Sequence, residues 1–213
     1  MTLKKSIFFI ILILLIDQVS KIYIKTHFQL NESIEVLSWL KIHFVENDGM
    51  AWGTKLSDFI PFISDRIAKL SLTIFRLIAI LGIGYWLLLS IKKQVSKVLV
   101  LALIFIFAGA MGNIIDSVLY GVIFNDSYGQ VASFMPIEGG YDNLFYGNVV
   151  DMLYLPMWQG NLPEWLPFAG GKNFIFFEPV FNIADVAISI GFAILIFFNK
   201  KAFPKTETGN IEN

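Results

Sequence analysis

The sequence predicts an α-helical integral membrane protein with four transmembrane helices, a small extracytoplasmic β-sheet and an interfacial helix. Hydrophobic residues make up 56% of the 213 residues and charged residues only 15%, which is more apolar than a soluble domain of this size. Four apolar stretches also reach the ~20 residues that a helix needs to cross a bilayer core. We expect one membrane-embedded domain over residues 1–213.

The four predicted spans are Ser6 to Lys25, Lys69 to Ile91, Lys97 to Leu119, and Pro179 to Asn199. The first follows Lys4 and Lys5, as the apolar part of a cleavable signal peptide would. However, no small-residue cleavage site follows it, and the apolar run continues through Asp17 and Lys21. We therefore interpret it as a span that is retained.

Lysines beside the spans predict the orientation, because basic residues of short flanks concentrate on the cytoplasmic side. In a four-span chain they all fall on one side: Lys4, Lys5, Lys92, Lys93, Lys97, Lys200, Lys201 and Lys205. We therefore expect both termini in the cytoplasm. The long segments of about residues 26–68 and 120–178 then lie on the outer side.

The first outer segment predicts a small sheet followed by a helix. Apolar residues alternate from Ser33 to Trp52, and the turn-forming Asn47, Asp48 and Gly49 interrupt them. From Ser57 to Ala68, apolar and charged residues can occupy opposite faces of a helix lying at the membrane surface.

The second outer segment predicts a semi-rigid flap on the membrane surface. We interpret its two tryptophans as anchors at the interface between membrane and water. The aromatic residues and stiffening prolines that predict the flap are Trp158, Pro163, Trp165, Pro167 and Phe168.

Composition excludes several kinds of function. A net charge of −1 gives no reason to expect a nucleic-acid partner. The absence of cysteine excludes disulfides, thiolate catalysis and Cys-ligated metals. His27 and His43 are not in the HExxH spacing of zinc proteases. We therefore expect neither a metal nor another cofactor.

Ionisable residues inside the spans indicate a functional site, because such residues are costly in a membrane and usually face the interior of a helix bundle. Asp17, Lys21, Arg76, Asp116 and Asp185 are in this position. Three predicted helices place carboxylates at a similar depth near the outer side. Scattered structural residues would not need to share that depth.

An Asn-x-x-Asp spacing occurs three times: Asn113 and Asp116, Asn148 and Asp151, and Asn182 and Asp185. Residues three apart share one face of a helix, so the amide can hydrogen-bond the neighbouring carboxylate or a substrate backbone. Two of the three pairs lie in apolar spans, where chance is a poor explanation. Asp151 lies in an outer segment, where aspartates are common.

Structural interpretations compete with functional ones at most of these positions. Asp17 and Lys21 are four residues apart, so they either neutralise one another or contact a substrate. Arg76 is expected to snorkel or to pair with an acid. Asp116 fits a supporting role better than proton transfer. Asp185 lies within a span and has no basic residue at helical spacing, which favours function.

Five motifs resemble those of the bacterial lipoprotein signal peptidases, or signal peptidase II. In chain order they are Asp17 to Lys21, Glu46 to Gly53, Gly109 to Asp116, Gly147 to Asp151, and Phe181 to Asp185. They follow the order and the topology of the family. The resemblance covers nearly the whole chain apart from the second outer segment.

The resemblance implies an aspartic endopeptidase with Asp151 and Asp185 as its catalytic pair. Its substrate would be a diacylglyceryl-modified prolipoprotein, cut just before the lipidated Cys. We expect contact with membrane lipid, a monomer, a location in the bacterial cytoplasmic (inner) membrane, and an active site near its outer face. The corresponding substrate-binding or supporting positions are Asp17, Lys21, Asn47, Asn113, Asp116 and Asn182, to which we add Gly49 and Asn148 from the same motifs.

The chain departs from the family pattern in two respects. Ser117 stands where the family usually has Arg, and Arg76 is our candidate to replace that charge. The intervals between the last three motifs are also longer than usual. Residues near Asn125 to Tyr146 and Pro156 to Phe176 therefore look like insertions.

Three rival mechanisms fit the sequence less well. Ser20 and Lys21 diverge by about 100° on a helix, so they do not form a nucleophile and its base. Tyr141 and Asp142 resemble a presenilin motif, but they lie in a polar loop and no GxGD sequence occurs. A proton-coupled carrier would use buried acids as relays, yet the inverted repeats and broken helices common in carriers are not visible.

Overall fold

A computed structural model describes residues 1–48, 62–156, 158–161, 163–165, 167, 170–176 and 179–204. Its long apolar helices are α1 (Leu3–His27), α2 (Asp65–Lys92) and α3 (Lys97–Ile115). All three are long and apolar enough to cross a membrane, and a shorter apolar helix, α4 (Ile183–Phe197), follows them. Together with a small antiparallel sheet, they confirm the predicted class of helical membrane protein.

The third helix extends further than predicted. After α3 ends at Ile115, the chain continues as one π-helical turn (Asp116–Tyr120) and a short α-turn (Gly121–Ile123). The helical segment therefore continues beyond Leu119, the approximate end of the predicted span. Single π turns inside helices are frequently found at functional sites, and this one begins at Asp116.

The fourth helix begins later than predicted. Pro179 to Asn199 was expected to be helical, but Val180–Phe181 forms a strand and α4 runs only from Ile183 to Phe197. Its 15 residues extend about 22 Å, less than the ~30 Å of a bilayer core. Asp185 consequently lies in the first turn of the helix, rather than more than a turn inside it.

The predicted small sheet is confirmed, and it includes strands from beyond the segment in which it was predicted. The sheet is formed by β1 (Ser33–Leu37), β2 (Leu40–Asn47), β3 (Val149–Tyr154) and β6 (Val180–Phe181). These strands lie in the order β1-β2-β3-β6, and neighbouring strands are antiparallel. Asp151, expected in a loop, lies in β3.

The predicted interfacial helix falls partly outside the described residues. Residues 49–61 lie outside them, which includes Gly49 and the first part of the predicted helix from Ser57 to Ala68. Residues 65–68, assigned to that helix from the sequence, form the first turn of α2.

Both insertions contain ordered backbone pairing. In the second, β4 (Trp158–Asn161) pairs antiparallel with β5 (Asn173–Phe176) where a flap was expected. Pro163, Trp165 and Pro167 lie between these strands, whereas Phe168 is outside the described residues. In the first, the backbone N–H of Asp142 donates to the carbonyl of Gly121 at 2.8 Å, so this insertion folds back onto the end of the third helix.

The chain divides into two compact units, each with its own apolar core. The first unit comprises Met1–Asp17, Ile74–Asn113 and Ile183–Asn213, and the second comprises Gln18–Thr73 and Ile114–Asn182. Core residues of the first unit include Leu87, Leu99, Val100, Leu103 and Ile104. Core residues of the second include Phe44, Tyr120, Phe124, Val150 and Met152.

Candidate active site

Asp151 is a buried carboxylate held by two side-chain amides. Asn182 donates to its Oδ1 at 2.7 Å, and Asn47 donates to its Oδ2 at 3.3 Å. Asn47 comes from the end of β2, next to β3, and Asn182 follows β6 directly. The sheet therefore brings one amide donor to each oxygen of this carboxylate and fixes its orientation.

Asp185 is half-buried in the first turn of α4 and is also held by an amide. Asn113, near the end of α3, donates to its Oδ1 at 2.8 Å. The amide of Asn113 therefore orients this carboxylate at the start of the helix.

The side-chain amides of the three Asn-x-x-Asp motifs donate hydrogen bonds to carboxylates outside their own motifs. Asn113 donates to Asp185 and Asn182 to Asp151, while Asn148 donates to Glu46 at 2.9 Å. The sequence suggested bonds between residues three apart on a helix. The hydrogen bonds described here link segments that are distant in the chain.

Asp17 caps the helix that carries Asp185. Its Oδ1 accepts a hydrogen bond from the backbone N–H of Ala184, the second residue of α4, at 2.8 Å. A carboxylate at this point satisfies an N–H that has no partner within the helix. This contact with Ala184 was not specified by the sequence, which had named Asp17 only as a substrate-binding or supporting position.

Two glycines allow α3 to approach α4 closely. A Cβ added at Gly109 would lie 2.3 Å from the carbonyl oxygen of Ala184, and one added at Gly112 would lie 2.5 Å from Oδ2 of Asp17. Small residues permit such close backbone contact between membrane helices. This close packing explains why glycine occurs twice in the Gly109 to Asp116 motif.

Lys21 and Asp116 form a fully buried ion pair, with 2.8 Å between Nζ and Oδ2. Gln18 donates to the other oxygen of Asp116 at 2.9 Å, and the backbone N–H of Val150 donates to Oδ2 at 3.2 Å. A salt bridge at Asp116 is therefore present although Ser117 replaces the family's Arg. The substitute role considered for Arg76 stays a prediction.

A second buried ion pair, Lys25 with Glu46, was not singled out from the sequence. Oε1 of Glu46 also accepts from Ser127 at 2.6 Å, and Lys25 donates to Ser127 at 3.0 Å. Burial opposes ionisation of Glu46, but the charge of Lys25 and the hydrogen bonds from Lys25, Ser127 and Asn148 outweigh it, so the pKa of Glu46 lies below its usual value. Lys25 follows Lys21 by one helical turn, and this spacing was the available signal.

The structure describes the two candidate catalytic residues in separate units, with Asp151 in the second and Asp185 in the first. Their joint action stays a prediction. Within the described residues, no group of three or more His, Asp or Glu side chains is placed to hold a metal ion.

The long apolar helices, with an amide-supported carboxylate in each unit, define a multi-pass membrane protein. Residues 9–199 match the family model for signal peptidase (SPase) II, and the chain belongs to that family.

Relatives and solved structures agree with this assignment. The chain is 45% identical to a lipoprotein signal peptidase of Porphyromonas gingivalis, covering 92% of this chain and 81% of the relative. It is 37% identical to one of Amoebophilus asiaticus, covering 87% and 73%. A solved bacterial membrane enzyme, determined by the in meso method at 2.3 Å resolution, superposes with a TM-score of 0.60 at 25% identity, covering 97% of this chain and 94% of its own. The protein is thus a membrane peptidase of the signal peptidase II family.

Proposed function

We propose that this protein is an aspartic endopeptidase that removes signal peptides from diacylglyceryl-modified prolipoproteins. The observation that carries the proposal is that Asp151 and Asp185, the acidic residues of the last two motifs, are each held by an Asn side chain. Hydrogen-bond donors that fix a carboxylate's orientation are what an acid or base in catalysis requires. The relatives named lipoprotein signal peptidase support the class of substrate.

The proposed chemistry needs one proton shared between Asp151 and Asp185, because two cooperating carboxylates do not both ionise easily. The ionised carboxylate takes a proton from a water molecule, whose oxygen attacks the scissile carbonyl carbon. The protonated carboxyl gives its proton to the carbonyl oxygen. When the tetrahedral intermediate collapses, the C–N bond breaks and the leaving amine takes the proton that the first carboxylate received from water. A hydroxyl of the intermediate returns its proton to the other carboxylate, which restores the pair. Because the proton is shared in this scheme, neither Asp is permanently the base.

The proposed cleavage lies just before the lipidated Cys of the substrate, so the peptidase acts on a substrate anchored in the membrane. We propose that it works as a monomer in contact with membrane lipid, in the bacterial inner membrane. Both termini would face the cytoplasm, and the site would lie near the outer face. The lysine distribution supports this orientation.

The test is turnover of a diacylglyceryl-modified precursor by purified protein in detergent, per amount of folded protein. Asp151→Asn and Asp185→Asn keep the side-chain shape but remove the acid and base chemistry. We expect each to lose cleavage while folding normally, and the double variant to be no worse than either, since one half of a cooperating pair is useless alone. The matched control is Asp126→Asn, at an exposed carboxylate that binds the N–H of Tyr128, and it should retain full turnover.

Near-normal cleavage by either single variant would exclude this pair as the catalytic groups. If the wild-type protein left the precursor intact, the substrate class would be wrong. The same preparations in proton-loaded vesicles would then test the carrier hypothesis.

A further inference from the structure

We propose that Glu46 is a positioning residue for Asp151, acting through Asn148 at the start of strand β3. The inference rests on the proposed function, since it concerns how Asp151 is held for catalysis. Glu46, Lys25, Ser127 and Asn148 form what we call the β3 junction, and all four belong to the second unit.

The pairing of β2 with β3 shifts register before it reaches Asp151, so a separate contact is needed to fix the register there. Ile42 pairs with Leu153, whereas Val45 pairs with Asp151, so three steps along β2 match only two along β3. The register of the half around Ile42 and Leu153 therefore does not determine the register of the half that carries Asp151. Bulges of this kind re-aim side chains beside active sites. A slip by one residue would turn Asp151 to the opposite face of the sheet.

The β3 junction lies directly next to the re-aimed half. Glu46 pairs across the strands with Val150, the neighbour of Asp151, and Asn148 directly precedes the first residue of β3. The hydrogen bond from Asn148 to Oε2 of Glu46 joins β2 to the chain entering β3. It thus fixes the register within a few residues of Asp151.

Asn148 is held by three different groups. Its Nδ2 donates to Glu46 at 2.9 Å, its Oδ1 accepts from Lys69 of α2, and its backbone N–H donates to the hydroxyl of Tyr141 at 2.6 Å. These bonds point to separate partners on β2, α2 and the first insertion. Neither rotation nor sliding of Asn148 can preserve all of them, so they hold the start of β3 in one place.

Charge and burial favour a positioning role over simple packing. Lys25 is 1% exposed and lies 5.0 Å from the ring centroid of Tyr141, while Glu46 is 7% exposed. Burying two charges costs desolvation energy that an apolar pair of similar size would avoid. Directional hydrogen bonds, however, define a register that apolar contacts leave open. The first insertion contributes both Ser127 and Tyr141, which gives part of that segment a role in the site.

The test uses two single variants and their combination. In Glu46→Gln, the side-chain oxygen can still accept hydrogen bonds from Lys25 and Ser127. The new NH2 group then faces the NH2 group of Asn148, so two donors oppose each other. In Asn148→Asp, two carboxylates oppose each other. Combining both substitutions restores the bond in reverse, because Gln at 46 donates to Asp at 148, which still accepts from Lys69. The pair keeps one negative charge.

We expect each single variant to lower kcat about 10- to 100-fold, since small misplacements of a reacting group cost that much. KM should change less than about twofold, because the β3 junction orients Asp151 rather than the substrate. The combined variant should recover most of the lost kcat. Glu35→Gln, at an exposed ion pair with Lys41 on the same sheet, is the matched control and should behave as wild type.

The outcomes are distinguishable. Full kcat per folded protein in Glu46→Gln, or a combined variant that loses the product of the two single effects, would overturn the positioning role. If Glu46→Gln does not fold, the kcat of Asn148→Asp is compared with that of the combined variant. A combined variant that recovers none of the lost kcat would overturn the positioning role. Failure of the proposed function would show differently, as a wild-type protein that does not cleave the precursor or an Asp151→Asn variant that does.

Discussion

Asn113 donates a hydrogen bond of 2.8 Å to Asp185, although the two residues are 72 positions apart in the chain. The bond joins the end of α3 to the first turn of α4. It leaves one carboxylate oxygen of Asp185 engaged by an amide in a defined direction. The other side of the carboxylate is thereby oriented as well, since the two oxygens share one plane.

Replacing Asn113 by Ala should lower kcat about tenfold, because Asp185 loses the donor that fixes its orientation. Folding should change little, since the loss is one partly buried hydrogen bond of about 1 kcal/mol. Precursor turnover and thermal unfolding in detergent would measure both effects. Asn199→Ala, at an exposed residue, is the control. Unchanged kcat in Asn113→Ala would contradict the role of the amide.

Gly112→Ala should reduce both stability and cleavage. The added methyl would lie 2.5 Å from Oδ2 of Asp17 and 3.1 Å from the Cβ of Ala184, so either the helices separate or the cap on α4 shifts. Gly82→Ala makes the same substitution within α2, where an added Cβ meets nothing within 4 Å. That control should be neutral, or more stable by up to about 1 kcal/mol. Equal melting temperatures for the two variants would show that α3 tolerates the methyl.

Asp116→Asn should destabilise the protein by about 3–5 kcal/mol, because it leaves the buried charge of Lys21 without a counter-charge. Its NH2 group would also face a donor, either Gln18 on one side or Val150 and Lys21 on the other. Thermal unfolding and the yield of folded protein would show the loss. Lys41→Met breaks the exposed pair with Glu35 and should change stability by less than about 1 kcal/mol. Activity lost without any loss of stability would point to a catalytic role for Asp116 instead.

The Glu46 carboxyl should make the fold sensitive to acid. Its pKa is lower in the folded protein than the ordinary 4.5, so protons bind more tightly to the unfolded state. The resulting stabilisation is complete above about pH 4.5 and is lost as the pH falls through the folded pKa. We expect the wild-type melting temperature to fall faster below pH 4.5 than that of Glu46→Gln. Parallel curves for the two proteins would contradict this.

Single-cysteine labelling should establish the orientation, since the chain contains no cysteine of its own. A cysteine at Gln94, between α2 and α3, should be protected from an impermeant reagent added outside the cell. One at Tyr128, which is 74% exposed in the second outer segment, should react. The reverse pattern would invert the proposed topology.

The long helices could be predicted from the sequence because runs of apolar residues are decisive for membrane spans. The start of α4 could not be predicted, because Val180 and Phe181 are as apolar as the helix that follows them, yet they pair with β3. Similarly, Val149 to Tyr154 is a short apolar run, whose periodicity does not distinguish a strand from a helix. The location of Asp151 in a strand depended on tertiary pairing with β2.

Within the candidate site, the sequence singled out the acids of the apolar segments as candidates, but it did not predict their hydrogen-bond partners. Buried carboxylates are conspicuous in an apolar sequence. The contacts of Lys25 with Glu46 and of Asp17 with Ala184 join residues 21 and 167 positions apart. No local spacing encodes such distances, so only the folded chain reveals them.

The cap that Asp17 provides for α4 also imposes an order on biosynthesis. The ribosome completes Asp17 167 residues before it reaches Ala184, so the first span waits in the bilayer with its carboxylate while the rest of the chain is made. A nascent chain released before Ala184 therefore carries one half of this contact and no helix to receive it.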